Sequence, residues 1–252
     1  MPKRADADPD DQSLGSVDPA LHPPIAFPEP DWQWFTARTK ALGIRDPGPH
    51  RPVLEALFGH LCGVNRWLNL TTITAPREYL KLHVLDSLAA EGDTRLRHLG
   101  EGEPCLDLGS GGGYPGLPLA LWHPTVPWVV ADARLKKAEF LAAAARLTGL
   151  PRLTARHLRG GQTKSAATDL FRRCQLVVSR AMGRCAAVLA EAAPLLARHG
   201  HCLVYKGPAY AGEERAEARS ACAAMGYRPL GERSVALEPG DPERVIVAFE
   251  RI

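Results

Sequence analysis

Residues 107–116 read Asp-Leu-Gly-Ser-Gly-Gly-Gly-Tyr-Pro-Gly. No regular strand or helix continues through such a stretch, because fixing each glycine costs backbone entropy and Pro115 removes a donor. Apolar Pro104-Cys105-Leu106 lead into it and Leu117-Pro118-Leu119-Ala120-Leu121 follow it. The chain must therefore leave a buried strand, turn tightly and enter a helix. Gly109, Gly111 and Gly113 stand at G-x-G-x-G spacing. Bare backbone lets a ligand approach, and the helix beyond offers unpaired N–H groups at its positive end. This suits a nucleotide-bearing cofactor and by itself leaves the class of cofactor open.

The flanking pattern extends the constraint. Short apolar strand candidates fall at 104–108, 127–131, 152–157, 174–179 and 201–206, with helical stretches at 116–122, 134–148, 184–198 and 211–225. Regular alternation of this kind predicts a parallel sheet with helices on both faces. Two closing runs, 229–237 and 244–250, flank Glu238-Pro239-Gly240-Asp241-Pro242 and predict a terminal antiparallel strand pair. Upstream, residues 31–100 read as a helical segment. Asp31 is placed to cap a helix carrying Trp34, Phe35, Arg38 and Leu42. A second helix runs from about Arg51, with Leu54, Leu57, Phe58, Leu61, Val64 and Leu68 at helical spacing. A third starts at Pro76 and runs through Ser87. The expected domains are an acidic, Pro-rich disordered tail (1–30), the helical segment (31–100) and a Rossmann-like domain (101–252). The polar stretch 160–173 reads as a loop or short helical insertion.

Charge is uneven. Residues 1–30 carry six acids against Lys3 and Arg4, a net of −4, within a chain of net +3, so the remainder carries +7. A basic body admits a polyanionic partner without proving one. None of the six cysteines forms C-x-x-C and no His pair has ligand spacing, so no metal is expected, and the cysteines read as reduced core residues. The start of the chain lacks a signal-peptide pattern and no apolar run is long enough to span a membrane; a cytoplasmic location is expected.

Asp132 ends the second strand candidate, where an acid accepts hydrogen bonds from ribose hydroxyls in nucleotide-binding α/β folds. The dinucleotide fingerprint is G-x-G-x-x-G, and the third glycine here comes one residue early. Asp107, two residues before the first glycine, is suited to a positively charged amino group, directly or through water, whereas a pyrophosphate would gain nothing from it. Both details favour S-adenosylmethionine. Tyr114 either lines the pocket or packs beneath the loop, and His157-Leu158 end the third strand, where an adenine ring would lie.

Four stretches carry a family resemblance: Asn65-Arg66-Trp67-Leu68-Asn69-Leu70-Thr71; His83-Val84-Leu85-Asp86-Ser87; Asp107 to Gly116; and Val178-Ser179-Arg180-Ala181 followed by Lys206-Gly207. In this order the chain resembles the bacterial RsmG (GidB) family, methyltransferases that modify N7 of a guanine in 16S ribosomal RNA. The resemblance implies a class I S-adenosylmethionine-dependent methyltransferase fold, with cofactor contacts at Gly109, Tyr114, His157, Leu158 and Arg180. It implies the small ribosomal subunit or its RNA as partner, and guanine 527 of the 530 loop as target. The chain departs from the family in lacking an acid at His157-Leu158, and in having Gly112 where proline or alanine is frequent.

Guanine N7 carries a lone pair and no proton, so attack on a methyl group needs no general base. Arg180 and Lys206, at strand carboxyl ends, are therefore candidates for positioning. Asp107, Gly109, Gly111, Tyr114, Asp132, His157, Leu158 and Arg180 are the expected cofactor residues; Asn65, Asn69, His83, Asp86 and Lys206 are the expected substrate side. Asp107→Ala is expected to weaken cofactor binding well before it unfolds the domain. Arg66, Arg77, Lys81, Arg134, Lys136, Lys137 and Arg184 are candidate RNA-backbone contacts. Competing readings are a methyltransferase for another RNA, a protein or a small molecule, a non-catalytic S-adenosylmethionine sensor, and an NAD-dependent dehydrogenase. DNA base-amino methylation is opposed by Ser179-Arg180-Ala181-Met182, which stands where an Asn/Asp-Pro-Pro-aromatic run is needed.

Overall fold

The computed structural model describes residues 15–159 and 168–252. Residues 1–14 of the tail expected at 1–30, and residues 160–167 of the insertion expected at 160–173, lie outside the described residues. Seven strands form one sheet: β1 (Cys105–Leu108), β2 (Trp128–Asp132), β3 (Leu153–His157), β4 (Cys174–Arg180), β5 (Leu196–Lys206), β6 (Tyr227–Val235) and β7 (Arg244–Arg251). Their order is β3-β2-β1-β4-β5-β7-β6. The first five are parallel, and β7 inserts antiparallel between β5 and β6. This is the class I methyltransferase sheet, with the expected strand pair at one edge.

The apolar runs are continuous because both faces of the sheet are covered. Cys105, Val130, Leu176, Val178 and Leu203 face one core, while Leu106, Val129, Val177, Cys202 and Val204 face the other. Successive side chains thus feed opposite layers. The second layer is closed by α7 (Cys185–Ala192) and α8 (Glu213–Cys222). The first is closed by α5 (Gly116–Trp122) and α6 (Leu135–Thr148) together with the N-terminal helices α1 (Glu29–Ala41) and α2 (Arg51–Leu68). The third N-terminal helix, α3 (76–88), begins at Pro76 and is π-helical over Tyr79–Leu85 before an α turn at Asp86–Leu88. A short α4 (Thr94–Arg97) leads to β1. Tyr205 Oη donates to the Ser87 carbonyl at 2.7 Å, which locks α3 against β5.

Three local expectations change. Residues 15–30 are packed, not disordered: Phe27 is buried and stacks with Trp32, Phe58 and Tyr79. The backbone carbonyl of Pro23 runs so close to α2 that a Cβ on Gly59 would meet its oxygen at 2.0 Å. The average acidity of the tail hid one large aromatic that the core absorbs. Asp31 lies inside the first turn of α1, behind Pro28 at the cap, where its charge still favours the helix dipole. Finally, residues 196–198 extend β5 instead of ending a helix, since Leu196 pairs with Cys174 before a bulge restores register at His201.

Candidate active site

Two clefts open at the carboxyl ends of the central strands, where ligands bind in open parallel sheets. The first encloses about 440 Å³ and is bounded by the glycine loop, Asp132, Lys137 and Met182. The second encloses about 550 Å³ and extends toward Lys206, Glu214 and Arg244. His83, Arg180 and Ala181 border both.

The floor of the first cleft is backbone. Gly111 has φ +59°, and a Cβ there would project toward Lys137 Nζ at 3.9 Å, into the space the cleft provides. Gly109 has φ +75° and lies directly beneath Met182, whose sulfur would sit 1.9 Å from an added Cβ. Asp132 accepts from Gly111 N at 3.1 Å and from Arg134 N at 2.9 Å. A carboxylate has about four acceptor sites, so this one holds the loop and keeps capacity for hydroxyls of a ligand. Bare glycine backbone, an acid at the tip of β2 and a basic rim fit an adenosyl group with an amino-acid tail.

Asp107 is placed differently from its expected role. It is fully buried beneath the loop and does not line the cleft. Its Oδ2 accepts from Ser110 Oγ at 2.5 Å and from Gly116 N at 2.7 Å, so it ties both ends of the glycine loop together. Burial pushes its carboxyl up to about 6, against the lowering effect of those two donors. His157 and Leu158 also lie off the cleft wall, on the neighbouring strand end. The His157 Nε2–H donates to Ala133 O at 3.0 Å, and Leu158 N donates to Asp132 O at 3.0 Å. They brace the acid from behind. Tyr114 does both things asked of it: its ring lines the cleft, and its hydroxyl donates to Tyr79 Oη at 2.9 Å.

The partition between the clefts is a polar chain. Asn65 Oδ1 accepts from Leu70 N and Thr71 N, and its Nδ2 donates to Thr71 O, so its side chain is spent on shaping the turn after α2. Asn69 is the left-handed cap of that helix, with φ 52°. Neither lines a cleft. Thr71 Oγ1 meets His83 Nε2 at 2.9 Å, and His83 Nδ1 faces Arg180 Nη2 at 3.3 Å. A guanidinium only donates, so Nδ1 accepts and Nε2 carries the hydrogen. The imidazole ring stacks on Tyr114 at 4.4 Å. Arg180 also donates to Asp86 Oδ2 at 2.6 Å and to Leu82 O at 3.0 Å. Asp86 Oδ1 lies 2.9 Å from Arg244 Nε, an ion pair whose angle is not that of a hydrogen bond. The three-residue spacing of His83 and Asp86 thus serves to present two partners to one arginine.

The remaining basic candidates separate by their partners. Arg134 and Lys137 stand at the rim of the first cleft. Arg77 covers the Trp34 ring at 3.5 Å and, with Lys81, pairs with Glu238, which pins α3 to the β6–β7 turn. Lys136 pairs with Glu139, and Arg184 with Glu217. Lys206 pairs with Glu214 and donates to Gly183 O at 2.5 Å. Met182, Glu214 and Arg244 were not marked as site residues in the sequence. The one available signal was Ala181-Met182-Gly183, a bend after an apolar strand; Ala181 and Gly183 both have positive φ.

Burial also fixes a pH dependence. It lowers His60, sealed against Phe140 at 4.9 Å, to about 4, and lowers His83 to about 3 with help from Arg180. Both stabilise the fold above pH 6.5, and that stability is lost as pH falls toward their folded values. Asp107 acts oppositely: its contribution is present at low pH and is lost as pH rises through about 6. Midway between pH 6 and pH 4 the unfolded chain holds about two protons on these groups and the folded chain about one. The net is about 1.4 kcal/mol per pH unit. Urea unfolding is expected to show a loss of roughly 3 kcal/mol across that window, and a flat profile would refute the assignment.

Among the described residues, no group of three or more His, Cys, Asp or Glu could hold a metal ion, and no helix is long and apolar enough to cross a membrane. The family profile described as rRNA small subunit methyltransferase G (GidB) matches residues 51–236, which include the first cleft and all of the second except Arg244. A protein of Sorangium cellulosum named ribosomal RNA small subunit methyltransferase G is 35% identical over 195 residues, covering 77% of this chain and 80% of its own. A protein of the same name from Geobacter sp. strain M21 is 36% identical over 214 residues, covering 83% of this chain and 93% of its own. One from Geobacter sulfurreducens is 42% identical over 166 residues, covering 64% and 70%. With its glycine loop and its partition at Arg180 inside the matched region, this chain belongs to the rRNA small subunit methyltransferase G (GidB) family.

Proposed function

We propose that the protein transfers a methyl group from S-adenosylmethionine to N7 of one guanine of 16S ribosomal RNA, guanine 527 of the 530 loop, in the bacterial cytoplasm. The observation that carries this reading is the pair of clefts sharing one wall. One has a backbone floor and a β2 acid, and the other is open, with the charged Lys206, Glu214 and Arg244 set among apolar side chains; they meet at His83, Arg180 and Ala181. Bound S-adenosylmethionine supplies an electrophilic methyl group. Gly109, Gly111, Tyr114, Asp132 and Arg180 would hold it in the first cleft. Asp107, His157 and Leu158 support those residues from behind.

The protein's own chemistry is positioning. N7 needs no deprotonation, and the imidazole at the junction is unsuited to provide it. His83 is held neutral, with Nδ1 facing Arg180 and Nε2 facing Thr71. Arg180, fixed by three neighbours, sets the wall against which the base is aligned, and alignment of the reacting atoms can supply much of the rate. Lys206 holds the far side of the base. A ribosomal guanine in a loop can be turned out of its stack to reach such a cleft.

The test uses labelled S-adenosylmethionine with small subunits, or their RNA, lacking the modification. Borohydride and aniline treatment cleaves the chain at 7-methylguanosine. One cleavage site in the 530 loop is expected. Label incorporated without cleavage would refute N7, and incorporation into protein or small molecules alone would refute the RNA. Calorimetry is expected to give binding heat with S-adenosylmethionine and none with NADH.

A further inference from the structure

The Lys206–Glu214 pair borders the second cleft only, away from the wall shared with the first. Both side chains are more than four-fifths buried. Glu214 lies in the first turn of α8, and its Oε1 accepts from Cys185 N at 2.8 Å. Lys206 leaves the end of β5 and also donates to Gly183 O. Two loops and a helix thus converge to fix one carboxylate beside one ammonium. Burial pushes the Glu214 carboxyl up, but the Lys206 ammonium, the Cys185 N–H and Arg184 bring it below the usual glutamate value. It is therefore a carboxylate at neutral pH.

From this placement we propose that Glu214 and Lys206 read the identity of the base: the carboxylate accepts from guanine N1–H and the 2-amino group, and the ammonium donates to O6. The inference rests on the guanine-N7 reading above. With N7 at the junction of the clefts, the N1–N2 edge lies across the ring and is turned toward the far end, where the pair stands. Guanine offers two adjacent donors and then an acceptor, which matches a carboxylate and then an ammonium. Adenine offers an acceptor to the carboxylate and an amino group to the ammonium, and both contacts are repulsive. Sites built to pair such groups discriminate strongly, because a mismatch leaves buried partners unsatisfied. The same pair, acting only as a staple between the 181–184 bend and α8, would show no preference among purines.

The experiment compares RNA carrying guanine at the target with RNA carrying inosine there. Inosine keeps N7, O6 and N1–H and lacks the 2-amino group. The natural protein is expected to lose about tenfold or more in kcat/KM on inosine. In Glu214→Gln the amide oxygen stays with Cys185 N, and the amide nitrogen then opposes the guanine amino group. Its kcat/KM on guanine is expected to fall about 10- to 100-fold, and the guanine-over-inosine ratio to fall to about one. The Kd for S-adenosylmethionine should be unchanged. Glu214→Ala provides the same ratio with no amide in place. A variant that loses rate and keeps the natural ratio overturns the proposal and leaves a staple. Failure of the natural protein to methylate any RNA guanine overturns the reaction reading instead, so the two failures are distinct.

Discussion

Replacing Arg180 with alanine is expected to cost roughly 3–5 kcal/mol of folding stability and about 100-fold or more in kcat/KM for RNA. The stability term follows from Asp86, which is buried and loses its best-aligned partner, Arg180 Nη1 at 2.6 Å. Arg244 remains near it, but without hydrogen-bond geometry. Removing one member of a buried pair leaves an uncompensated charge, which costs more than the pair ever contributed. The rate term follows from loss of the wall common to both clefts. Urea unfolding and single-turnover methylation measure the two separately. Adding Asp86→Asn should restore a good part of the stability and little of the rate, because it removes the stranded charge and not the missing wall. If Arg180→Ala unfolds at the parent urea concentration, the pair is solvated and the argument fails. Arg180→Lys keeps the charge and lacks the fork that reaches Asp86, Leu82 O and His83 together, so it should behave nearer to alanine than to arginine.

How much of this was legible in the sequence depended on whether a signal was local. The parallel sheet was readable because each parallel strand is a short apolar run and each crossover is a helix, and the glycine loop announces its own turn. The acid at Asp132 followed from its distance along the chain. Arg180 and His83 were found through family resemblance, and their meeting across 97 residues could not come from spacing. Asp107 misled for a physical reason. An acid ahead of a glycine loop reads equally as a ligand for a cation and as an acceptor for loop N–H groups, and only burial decides between them. The sequence carries the helix at 184–198 past its end because Ala, Leu and Arg favour a helix, whereas β4 pairing draws Leu196 into the sheet. The second cleft was invisible as a unit. Its walls come from α3, the bend after β4, the end of β5, α8 and β7, and no window of sequence contains them.

Asp107 yields the other large effect and separates its two readings. Asp107→Ala removes the common acceptor of Ser110 Oγ and Gly116 N. Hydrogen bonds to a charged group contribute about 1.5–3 kcal/mol each, offset in part by relief of a buried carboxylate, so a net loss of about 3 kcal/mol is expected. The glycine loop frees at both ends, and affinity for S-adenosylmethionine should fall together with stability. This replaces the sequence-based expectation that binding fails first. Asp107→Asn is the sharper probe. Both donors converge on Oδ2, while Oδ1 has no partner among the described residues. An asparagine with its oxygen in the Oδ2 position keeps both bonds, so the variant should stay within about 1 kcal/mol of the parent and bind the cofactor within about threefold. It also removes the group that holds a proton in the folded chain through most of the window between pH 6 and pH 4. The loss of stability with acid should then steepen from about one proton's worth to about two, near 2.7 kcal/mol per pH unit. A carboxylate that touched the ligand's amino group would give the opposite pattern: a stable Asp107→Asn protein with acid sensitivity unchanged and binding largely lost. Calorimetric titration beside unfolding curves at pH 6 and pH 4 tells the two apart.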